Sequence, residues 1–486
     1  MTAAASEARR IDGFGIGAVF AVVYLLLRQT TILGDGTTLV ELVRNEHLPS
    51  ANHFLYLPLC AALRSVFDPL GASVFQITSF LSVISTVLGL VVTHAAFRTL
   101  RFDRADAAIA TALVGATPGM VFYATSVELH AVFFALASPA FWCATRLAVT
   151  PSLGRGIALG LATGIAYAAH ATGAILWPPL FLAAAAIAPL GDHAMTRGMA
   201  FRRLLVPGFV SGAIHAACVF GIPALLRAIH PEFEIDPANN KSWIENHSVG
   251  GWHNLEAIFV TFWNEWLLPA APISLTAMAA WFIPRYRALA LAWTIGMLPY
   301  LYISFVLLAT HSERGAYWLP LHWLAAWMTV RCLPRMASAV AIGVALLVSL
   351  AFVAHYDEPE RQLAYAEGLE AAAEGAPIVA LTAGNYDVGA CYVHIPEAIC
   401  LRIQILALQG EDGARALMPT LDAFMANWYA DGRRVFLSGE IDLAIQPGIF
   451  AGSAVLDEVI LTHLRSRYDV VPVSSGGFEG YEVRAR

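Results

Sequence analysis

The sequence predicts an α-helical polytopic membrane protein of about eleven transmembrane helices, followed by a small extracytoplasmic α/β domain. Of its 486 residues, 58% are hydrophobic and only 13% are charged, which is unlike a soluble globular protein. Apolar runs long enough to cross about 30 Å of hydrocarbon recur as far as residue 355. Beyond that point the chain becomes acidic and its hydrophobic pattern changes. We therefore expect a membrane domain at 1–355 and a second domain at 356–486.

The first domain contains eleven runs that are predicted to span the membrane, at roughly 13–33, 72–97, 107–125, 129–147, 156–170, 172–190, 205–227, 259–283, 288–310, 317–333 and 337–355. The fifth and sixth are the least distinct, because little polar sequence separates them. The apolar segment 53–67 is too short to span and is expected to lie along the membrane interface. Arg9 and Arg10 precede the first run without a small-residue cleavage site after it, so this run is expected to be an anchor.

The basic residues predict the orientation, because cytoplasmic loops of membrane proteins are enriched in Arg and Lys. With a cytoplasmic N-terminus, the cytoplasmic ends hold Arg9, Arg10, Arg98, Arg101, Arg104, Arg146, Arg155, Arg197, Arg202, Arg203, Arg285, Arg287, Arg331 and Arg335. The outer loops hold only Arg44, Arg64, Arg227, Lys241 and Arg314. An odd number of spans then places the C-terminal domain outside the cytoplasm. The expected location is the inner (plasma) membrane, with that domain in the periplasm.

The second domain carries nineteen acidic residues against nine arginines, whereas the preceding part has seventeen acids and twenty bases. This acidity indicates solubility outside the cell rather than a binding surface, and no nucleic-acid partner is expected. Periodicity predicts an α/β module with strands at 377–382, 434–437, 468–473 and 481–484 and helices near 414–429 and 456–465.

The six cysteines do not have the spacing of a metal site. Four of them lie in apolar sequence and are expected to pack in the interior: Cys60, Cys143, Cys218 and Cys332. Cys391 and Cys400 lie in the second domain, where an oxidising periplasm would permit a disulfide, and the sequence leaves bridge and free thiols open. The chain has no phosphate-binding loop and no internal repeat, which argues against a nucleotide-driven pump.

Asp35 is the first candidate for chemistry, since it follows the first span directly and is flanked by Gly34 and Gly36. A carboxylate at a membrane boundary loses hydration and needs a partner or a function, and glycines let the backbone approach a bulky ligand. Asp35 could equally cap the next helix, because Thr38 and Glu41 follow at suitable spacing. The same outer loop continues to His53, just before the interfacial segment.

Glu128 and His130 form a second candidate, in a very short connection between the third and fourth spans. Such a turn holds both side chains near the depth of the lipid headgroups. The alternative is an acid at a helix start, stabilised by the helix dipole.

Arg314 is the third candidate, in an outer segment that also contains Tyr317 and Trp318. A guanidinium offers a planar fork that matches the oxygens of a phosphate. The alternative is anchoring at the interface, with the two aromatic residues as part of an aromatic belt. His170 and His215 are expected to be core histidines with satisfied hydrogen bonds.

In their order along the chain, these segments resemble the GT-C superfamily of glycosyltransferases that use lipid-linked sugars, in particular the protein O-mannosyltransferase-like branch. The resemblance rests on Asp35, on Asn52-His53-Phe54-Leu55-Tyr56, on Ser126 to Phe134, on the end of the glycine-rich fifth span at Ala168 to Gly173, and on Arg314 to Pro320. Members of the family often have two adjacent acids in the first loop, whereas here Asp35 stands between Gly34 and Gly36. The histidine is usually followed by prolines, whereas His53 is followed by Phe54 and Leu55. These departures leave the sugar and the acceptor open.

The resemblance implies that the donor is a sugar on a polyprenyl phosphate and that the acceptor is a hydroxyl of a lipid, glycan or protein. It implies that Asp35 is the general base of an inverting transfer and that Glu128 acts in catalysis beside it. The residues expected to contact substrate are Arg314, His53, His130, Arg28, Lys241 and Tyr317. No cofactor is expected, and a divalent cation is not favoured because carboxylates are sparse.

Two other functions fit parts of the sequence. A transporter or flippase for a lipid-linked sugar or small solute would typically show repeated halves and polar residues near the middle of the bilayer. Here the polar residues cluster at one boundary, which favours an interfacial enzyme. A scaffold for an envelope complex would reduce the same residues to helix caps and interfacial anchors.

Overall fold

The computed structural model describes residues 3–32, 36–44, 54–191, 196–229, 255–307, 314–407, 409–446 and 452–486. Their contacts divide the chain into two compact units. The first unit comprises Met1–Arg28 and Leu42–Val353, and the second comprises Gln29–Glu41 and Ala354–Arg486. The short segment that follows the first helix therefore groups with the C-terminal part of the chain, although it is remote from it in sequence.

Within the described residues, fifteen α-helices precede residue 357, and two features of the sequence set some of their ends. Ser73 begins α4 through a capping box, in which Ser73 Oγ accepts from the Gln76 amide at 3.2 Å and Gln76 Oε1 accepts from the Ser73 amide at 3.0 Å. Pro118 at the first turn of α6 needs no hydrogen-bond partner for its nitrogen. The helices are α1 Ala3–Leu26, α2 Gly36–Arg44, α3 Tyr56–Phe67, α4 Val74–Thr99, α5 Arg104–Ala116, α6 Pro118–Thr125, α7 His130–Val149, α8 Leu153–Ala169, α9 Trp177–Gly191, α10 Arg197–Ile229, α11 Leu255–Phe262, α12 Ile273–Ala279, α13 Arg287–Leu307, α14 His322–Cys332 and α15 Arg335–Tyr356.

Five helical stretches in the described residues are long and apolar enough to cross a membrane: Val74–Thr99, His130–Val149, Ala171–Leu190, Gly198–Ile229 and Arg335–Ala373. The pair α5 and α6 passes the same test together, but is bent by 66° between Ala116 and Pro118. The chain is thus a helical membrane protein, as the sequence predicts, while the count of eleven spans stays a prediction.

Two runs that were expected to be continuous helices are broken. The run 107–125 bends between α5 and α6, because Pro118 favours a fresh helix start and disfavours helical backbone at the residue before it. The run 259–283 is divided into α11, a π-helical turn at Trp263–Leu267, and α12. Breaks of this kind free backbone groups and redirect side chains within an apolar sequence. By contrast, α3 has twelve residues, too few to span, in agreement with the non-spanning segment that the sequence predicts.

Glycines allow α8 and α10 to pack closely. A Cβ atom at Gly156 would lie 2.3 Å from the Pro207 carbonyl oxygen, and one at Gly160 would lie 2.4 Å from the Ser211 carbonyl oxygen. The spacing of four residues places both glycines on one face of α8, so the two backbones can touch, as is common for helix pairs in membranes.

The second unit is an α/β domain built on a five-stranded sheet with the strand order β2-β1-β3-β5-β4. The three strands β2, β1 and β3 are parallel, and β3, β5 and β4 are antiparallel. The strands are β1 Ile378–Thr382, β2 Ile399–Arg402, β3 Arg434–Ser438, β4 Tyr468–Ser475 and β5 Phe478–Ala485. The helices are α16 Pro359–Ala373, α17 Asn385–His394, α18 Ile403–Ala407, α19 Gly410–Ala430, α20 Ile441–Ala444, α21 Ser453–Val455 and α22 Thr462–Arg467, with the π-helical Leu456–Leu461 between the last two.

Helices cover both faces of this sheet, because side chains alternate between the faces along each strand. Val379, Leu381, Val435 and Leu437 pack against α18, α19 and the helical segment after residue 452. Ile378, Ala380 and Phe436 pack against α16 and α17 on the other face. The four strands and two helices that the sequence predicts for this region are present, whereas β2, α16 and α17 were not predicted.

All six cysteines are free thiols. Cys391 lies on α17 and Cys400 on β2, and neither forms the disulfide that the sequence left open. Of the four cysteines that were expected to pack in the interior, Cys60 is buried and the other three are half-buried.

Candidate active site

The turn between α6 and α7 holds Glu128 in a buried position. Glu128 is 6% exposed, its carbonyl oxygen accepts from Ser82 Oγ at 3.3 Å, and its Oε2 accepts from the amide of Leu129 at 3.3 Å. The buried Tyr56, at the start of α3, also interacts electrostatically with this carboxylate. The carboxylate lies at the N-terminal end of α7, where the helix dipole stabilises a negative charge. The same geometry keeps the carboxylate away from bulk water. Its interaction with a bound substrate would therefore be stronger than in water.

Three helix junctions bring the rings of His130, His170 and Tyr317 into contact with one another. His130 begins α7, His170 ends α8, and Tyr317 lies in the 3₁₀ turn Ala316–Leu321. The ring centroids of His130 and His170 are 4.9 Å apart, and Tyr317 lies 5.4 Å from His130 and 5.3 Å from His170. Tyr123 completes the group at 5.0 Å from His130. We call these four residues the imidazole–tyrosine cluster.

The backbone sets the proton position of His170. The amide of Thr172 donates to His170 Nδ1 at 3.2 Å, and Thr172 Oγ1 lies 2.7 Å from the same nitrogen. Because Nδ1 accepts a hydrogen bond, the neutral ring carries its proton on Nε2 and can donate from there. His215 is fixed in a similar way by the carbonyl of Ala174, at 2.8 Å from Nε2. Both histidines are therefore hydrogen-bonded core residues, but the buried Nδ1 of His215 has no hydrogen-bond partner among the residues that the structure describes. His170 also belongs to the cluster.

The Cζ of Arg314 lies 5.4 Å from the ring centroid of Phe122, and that ring is 5.1 Å from the ring of Tyr123 in the cluster. Arg314 and Gly315 both have positive φ, 48° and 79°, a conformation that is costly for an arginine and must be stabilised by its surroundings. Glu265 provides such a contact, because its Oε2 accepts from the amide of Gly315 at 3.0 Å. The structure thus positions Arg314 through a buried carboxylate on a different segment.

Glu265 and His170 were not among the site residues predicted from the sequence. Glu265 is 1% exposed and lies in the π-helical turn Trp263–Leu267. The signal that could have identified it is an acidic residue inside a predicted span, which is rare and usually functional or paired. His170 was interpreted only as a core residue, because a histidine in apolar sequence is more often a core residue than a ligand.

The predicted site residues fall into three groups. His130 and Tyr317 belong to the cluster, and Glu128 and Arg314 lie in the same two connecting segments, two and three residues before them. Arg28 has its Cζ 5.6 Å from the ring centroid of Phe75 at the start of α4. Three further residues lie outside the described residues, namely Asp35, His53 and Lys241. Most of the connection between the seventh and eighth predicted spans, 228–258, lies outside them as well, and so does Asn52.

The segment that leads to Asp35 is anchored within the second unit by Asp357. Its Oδ1 accepts from the amides of Thr30 and Thr31 at 3.0 and 2.8 Å and from their hydroxyls at 3.1 and 2.9 Å. On the other side of Asp35, Arg402 Nη1 donates to Thr38 Oγ1 at 2.9 Å. Both flanks of Asp35 are therefore held by residues that are more than three hundred positions away in sequence.

Replacing Asp357 by Asn is expected to lower the activity of the protein without preventing its folding. The variant keeps the size of the side chain but loses the charge, and hydrogen bonds to a charged group contribute about 1.5–3 kcal/mol each. A small displacement of a reacting group can cost up to about a hundredfold in rate, so we expect a loss of roughly tenfold or more. The exposed Asp412→Asn on α19 is the matched control. Equal rates in the two variants, measured at equal amounts of membrane-inserted protein, would contradict the anchoring role.

Within the described residues, no group of three His, Cys, Asp or Glu side chains is arranged to hold a metal ion. Three of the predicted site residues lie outside that part of the chain, so the expected independence from a metal stays a prediction.

No protein-family model matches the chain, and no curated protein matches it. Among solved structures, it is similar to ArnT from Cupriavidus metallidurans bound to undecaprenyl phosphate, with 14% identity, a TM-score of 0.57, and coverage of 99% of this chain and 98% of that chain. The apo state of the same protein gives 14% identity, a TM-score of 0.52 and the same coverage, 99% and 98%. The oligosaccharyltransferase of Archaeoglobus fulgidus, in complex with Zn and sulfate, gives 12% identity and a TM-score of 0.47, over 96% of this chain and 72% of that chain.

At this level of identity, the likeness shows the fold. The chain shares the fold of ArnT over nearly the whole length of both proteins, which confirms the GT-C-like architecture expected from the sequence. The O-mannosyltransferase-like branch is not distinguished by these matches and stays a prediction.

Proposed function

We propose that this protein is an integral membrane glycosyltransferase that moves a sugar from a polyprenyl-phosphate donor to an acceptor hydroxyl. The proposed location is the inner membrane, with the N-terminus in the cytoplasm and the reaction on the extracytoplasmic face. The observation that carries the proposal is the set of polar side chains formed by the buried Glu128, the half-buried Arg314 and the imidazole–tyrosine cluster. It offers hydrogen-bond donors, an acceptor and a cation within an otherwise apolar helical unit.

The shared fold adds a second line of support, because the ArnT structure contains undecaprenyl phosphate. A polyprenyl phosphate carries an activated leaving group, so the reaction that we propose needs neither a nucleotide nor a cofactor. It also needs no metal ion if cationic side chains stabilise the phosphate.

In the proposed reaction, Asp35 accepts the proton of the acceptor hydroxyl while the hydroxyl oxygen attacks the anomeric carbon of the sugar. The bond from that carbon to the phosphate oxygen breaks as the new glycosidic bond forms on the opposite face, so the configuration is inverted. The electron pair of the broken bond remains on the lipid phosphate. General-base assistance of this kind is typically worth about 10²–10⁴-fold.

Arg314 is proposed to stabilise the charge that develops on the departing phosphate, with His53, Lys241 and Arg28 as further cationic groups. A guanidinium held in a poorly hydrated environment is effective here because little reorganisation is needed during the reaction. Glu128 and His130 would orient hydroxyl groups of the sugar or the acceptor, and Tyr317 would contact the substrate. His170 can add a donor through Nε2.

The direct test uses the purified protein in lipid nanodiscs with synthetic polyprenyl-phosphate sugars and an envelope-lipid and glycan extract as acceptor. Formation of a new glycosidic bond, detected by mass spectrometry together with free polyprenyl phosphate, supports the proposal. Reconstituted vesicles test the transporter alternative: movement of the labelled donor between leaflets without bond formation would overturn the enzymatic function.

A further inference from the structure

The second unit contains a cleft of about 760 Å³ that is separate from the cluster described above. It lies beyond the carboxyl end of β3, between α16, the start of α17 and the β4–β5 hairpin. Its lining includes Arg361, Tyr365, Tyr386, Ser438, Gly439, Glu440, Asp442 and Leu443, together with most of the hairpin from Pro472 to Tyr481. In the strand order, β2 lies on one side of β1 and β3 on the other. The connection that leaves β1 leads to β2, whereas the connection that leaves its neighbour β3 leads to β4 on the other side of the sheet. Ligands of α/β sheets commonly bind where the connections of two adjacent parallel strands diverge in this way.

Two carboxylates lie next to each other at this point. Asp387 is buried and accepts hydrogen bonds from the amides of Ala383 and Gly384, at 2.9 and 3.0 Å. Glu440 lies against the same glycine, since a Cβ atom at Gly384 would be 1.6 Å from Glu440 Oε2. Glycine at this position leaves room for the Glu440 carboxylate at the wall of the cleft, where the Glu440 side chain is 22% exposed.

Burial and the proximity of Asp387 raise the pKa of Glu440 to about 7. Burial also raises the pKa of Asp387 to about 6, against the lowering effect of its backbone hydrogen bonds. Near neutral pH, Glu440 can therefore act as a hydrogen-bond donor or as an acceptor. A carboxyl group that can donate or accept a hydrogen bond is complementary to a ligand whose polar groups also do both, such as hydroxyls.

Arg361, which pairs with Glu440, lines the cleft together with Tyr386. The Arg361 Cζ lies 4.1 Å from the Tyr386 ring centroid, while its Nη1 donates to Glu358 at 2.8 Å and its Nη2 is 3.6 Å from Glu440 Oε1. The Tyr386 hydroxyl is buried and has no hydrogen-bond partner among the residues that the structure describes. A buried hydroxyl without a partner is unfavourable, so this group is prepared to bind a polar ligand atom.

We propose that this cleft is a binding site for a saccharide. A sugar combines hydroxyls that donate and accept with apolar ring faces, and the cleft offers carboxylates, a guanidinium, a tyrosine hydroxyl and aromatic rings. Its volume is in the range of pockets that enclose ligands of that size. Glu440 and Asp442 disfavour an anion, and Arg361 disfavours a metal cation. The proposal stands independently of the transfer reaction at the other site.

The test uses the full chain in nanodiscs and the methyl glycosides of mannose, glucose, galactose, N-acetylglucosamine and xylose as probes. This panel covers both orientations of the hydroxyls at two ring positions. Saturation-transfer NMR is expected to detect binding of at least one probe to the wild-type chain, and titration then gives its affinity. Glu440→Gln and Tyr386→Phe should each weaken that affinity about tenfold or more.

Glu411→Gln is the matched control, because Glu411 also pairs with an arginine, Arg415 at 2.7 Å, but on the exposed surface of α19. It should bind the probe like wild type. Tyr386→Phe removes one hydroxyl only and keeps the packing, so loss of binding in that variant is not a folding effect. The proposal is overturned if no glycoside binds, if neither variant weakens binding, or if calcium chloride alone binds with a dependence on Glu440.

Discussion

Replacing Asp35 by Asn is expected to reduce sugar transfer by about 10²–10⁴-fold, the range for loss of a general base. The amide of Asn has nearly the shape of the carboxyl group but cannot take the proton of the acceptor hydroxyl at neutral pH. The rate should be measured at saturating donor and acceptor, because the expected effect is on the chemical step. Donor binding should change little.

The same substitution separates the two interpretations of Asp35. Asn caps a helix about as well as Asp does, so a purely capping residue would tolerate the change and transfer would continue at nearly the normal rate. Asp68→Asn is the matched control: Asp68 lies at the end of α3 and pairs with Arg64 at 3.0 Å on an exposed surface. Its variant should transfer sugar like wild type. Asp35→Glu, which keeps a carboxylate on a longer side chain, should retain more activity than Asp35→Asn.

The sequence predicts the class of fold well, because hydrophobic composition and periodicity are local properties that can be read without knowing the tertiary contacts. The apolar runs, the α/β character of the second unit and its long helix near 414–429 could all be derived from periodicity. The breaks inside 107–125 and 259–283 could not, since an apolar run has the same composition whether its helix is straight or bent. Pro118 is the signal that could have identified the first break, and Glu265, a charge inside an apolar run, is the signal that could have identified the second.

The site could be predicted only in part, for a related reason. Glu128, His130, Arg314 and Tyr317 were identified from their positions at the ends of spans, and the structure brings the rings of His130 and Tyr317 to within 5.4 Å of each other. His170 was missed because a histidine in an apolar run is more often a core residue than a ligand. The contact between Asp357 and Thr30–Thr31 joins residues 327 positions apart, and nothing in either local sequence reveals that pairing.

Arg314 supports the second large expected effect. Arg314→Gln should lower the rate of transfer by about 10²–10³-fold, the usual cost of removing one group that stabilises developing negative charge. Arg314→Lys should retain more activity than Arg314→Gln, because it keeps the charge, but less than wild type, because an ammonium lacks the planar fork that matches a phosphate. The measurement is single-turnover release of polyprenyl phosphate.

Arg331 provides the matched control, since its Cζ also lies over a phenylalanine ring, 4.1 Å from the centroid of Phe102. It is predicted to lie at the cytoplasmic end of its span, away from the proposed reaction, so Arg331→Gln should leave the single-turnover rate unchanged. If Arg314 were only an interfacial anchor, Arg314→Gln and Arg331→Gln would behave alike. An Arg314→Gln rate close to wild type would therefore remove the arginine from the mechanism. A loss confined to Arg314→Gln and partly recovered in Arg314→Lys would instead tie its charge to the departing phosphate.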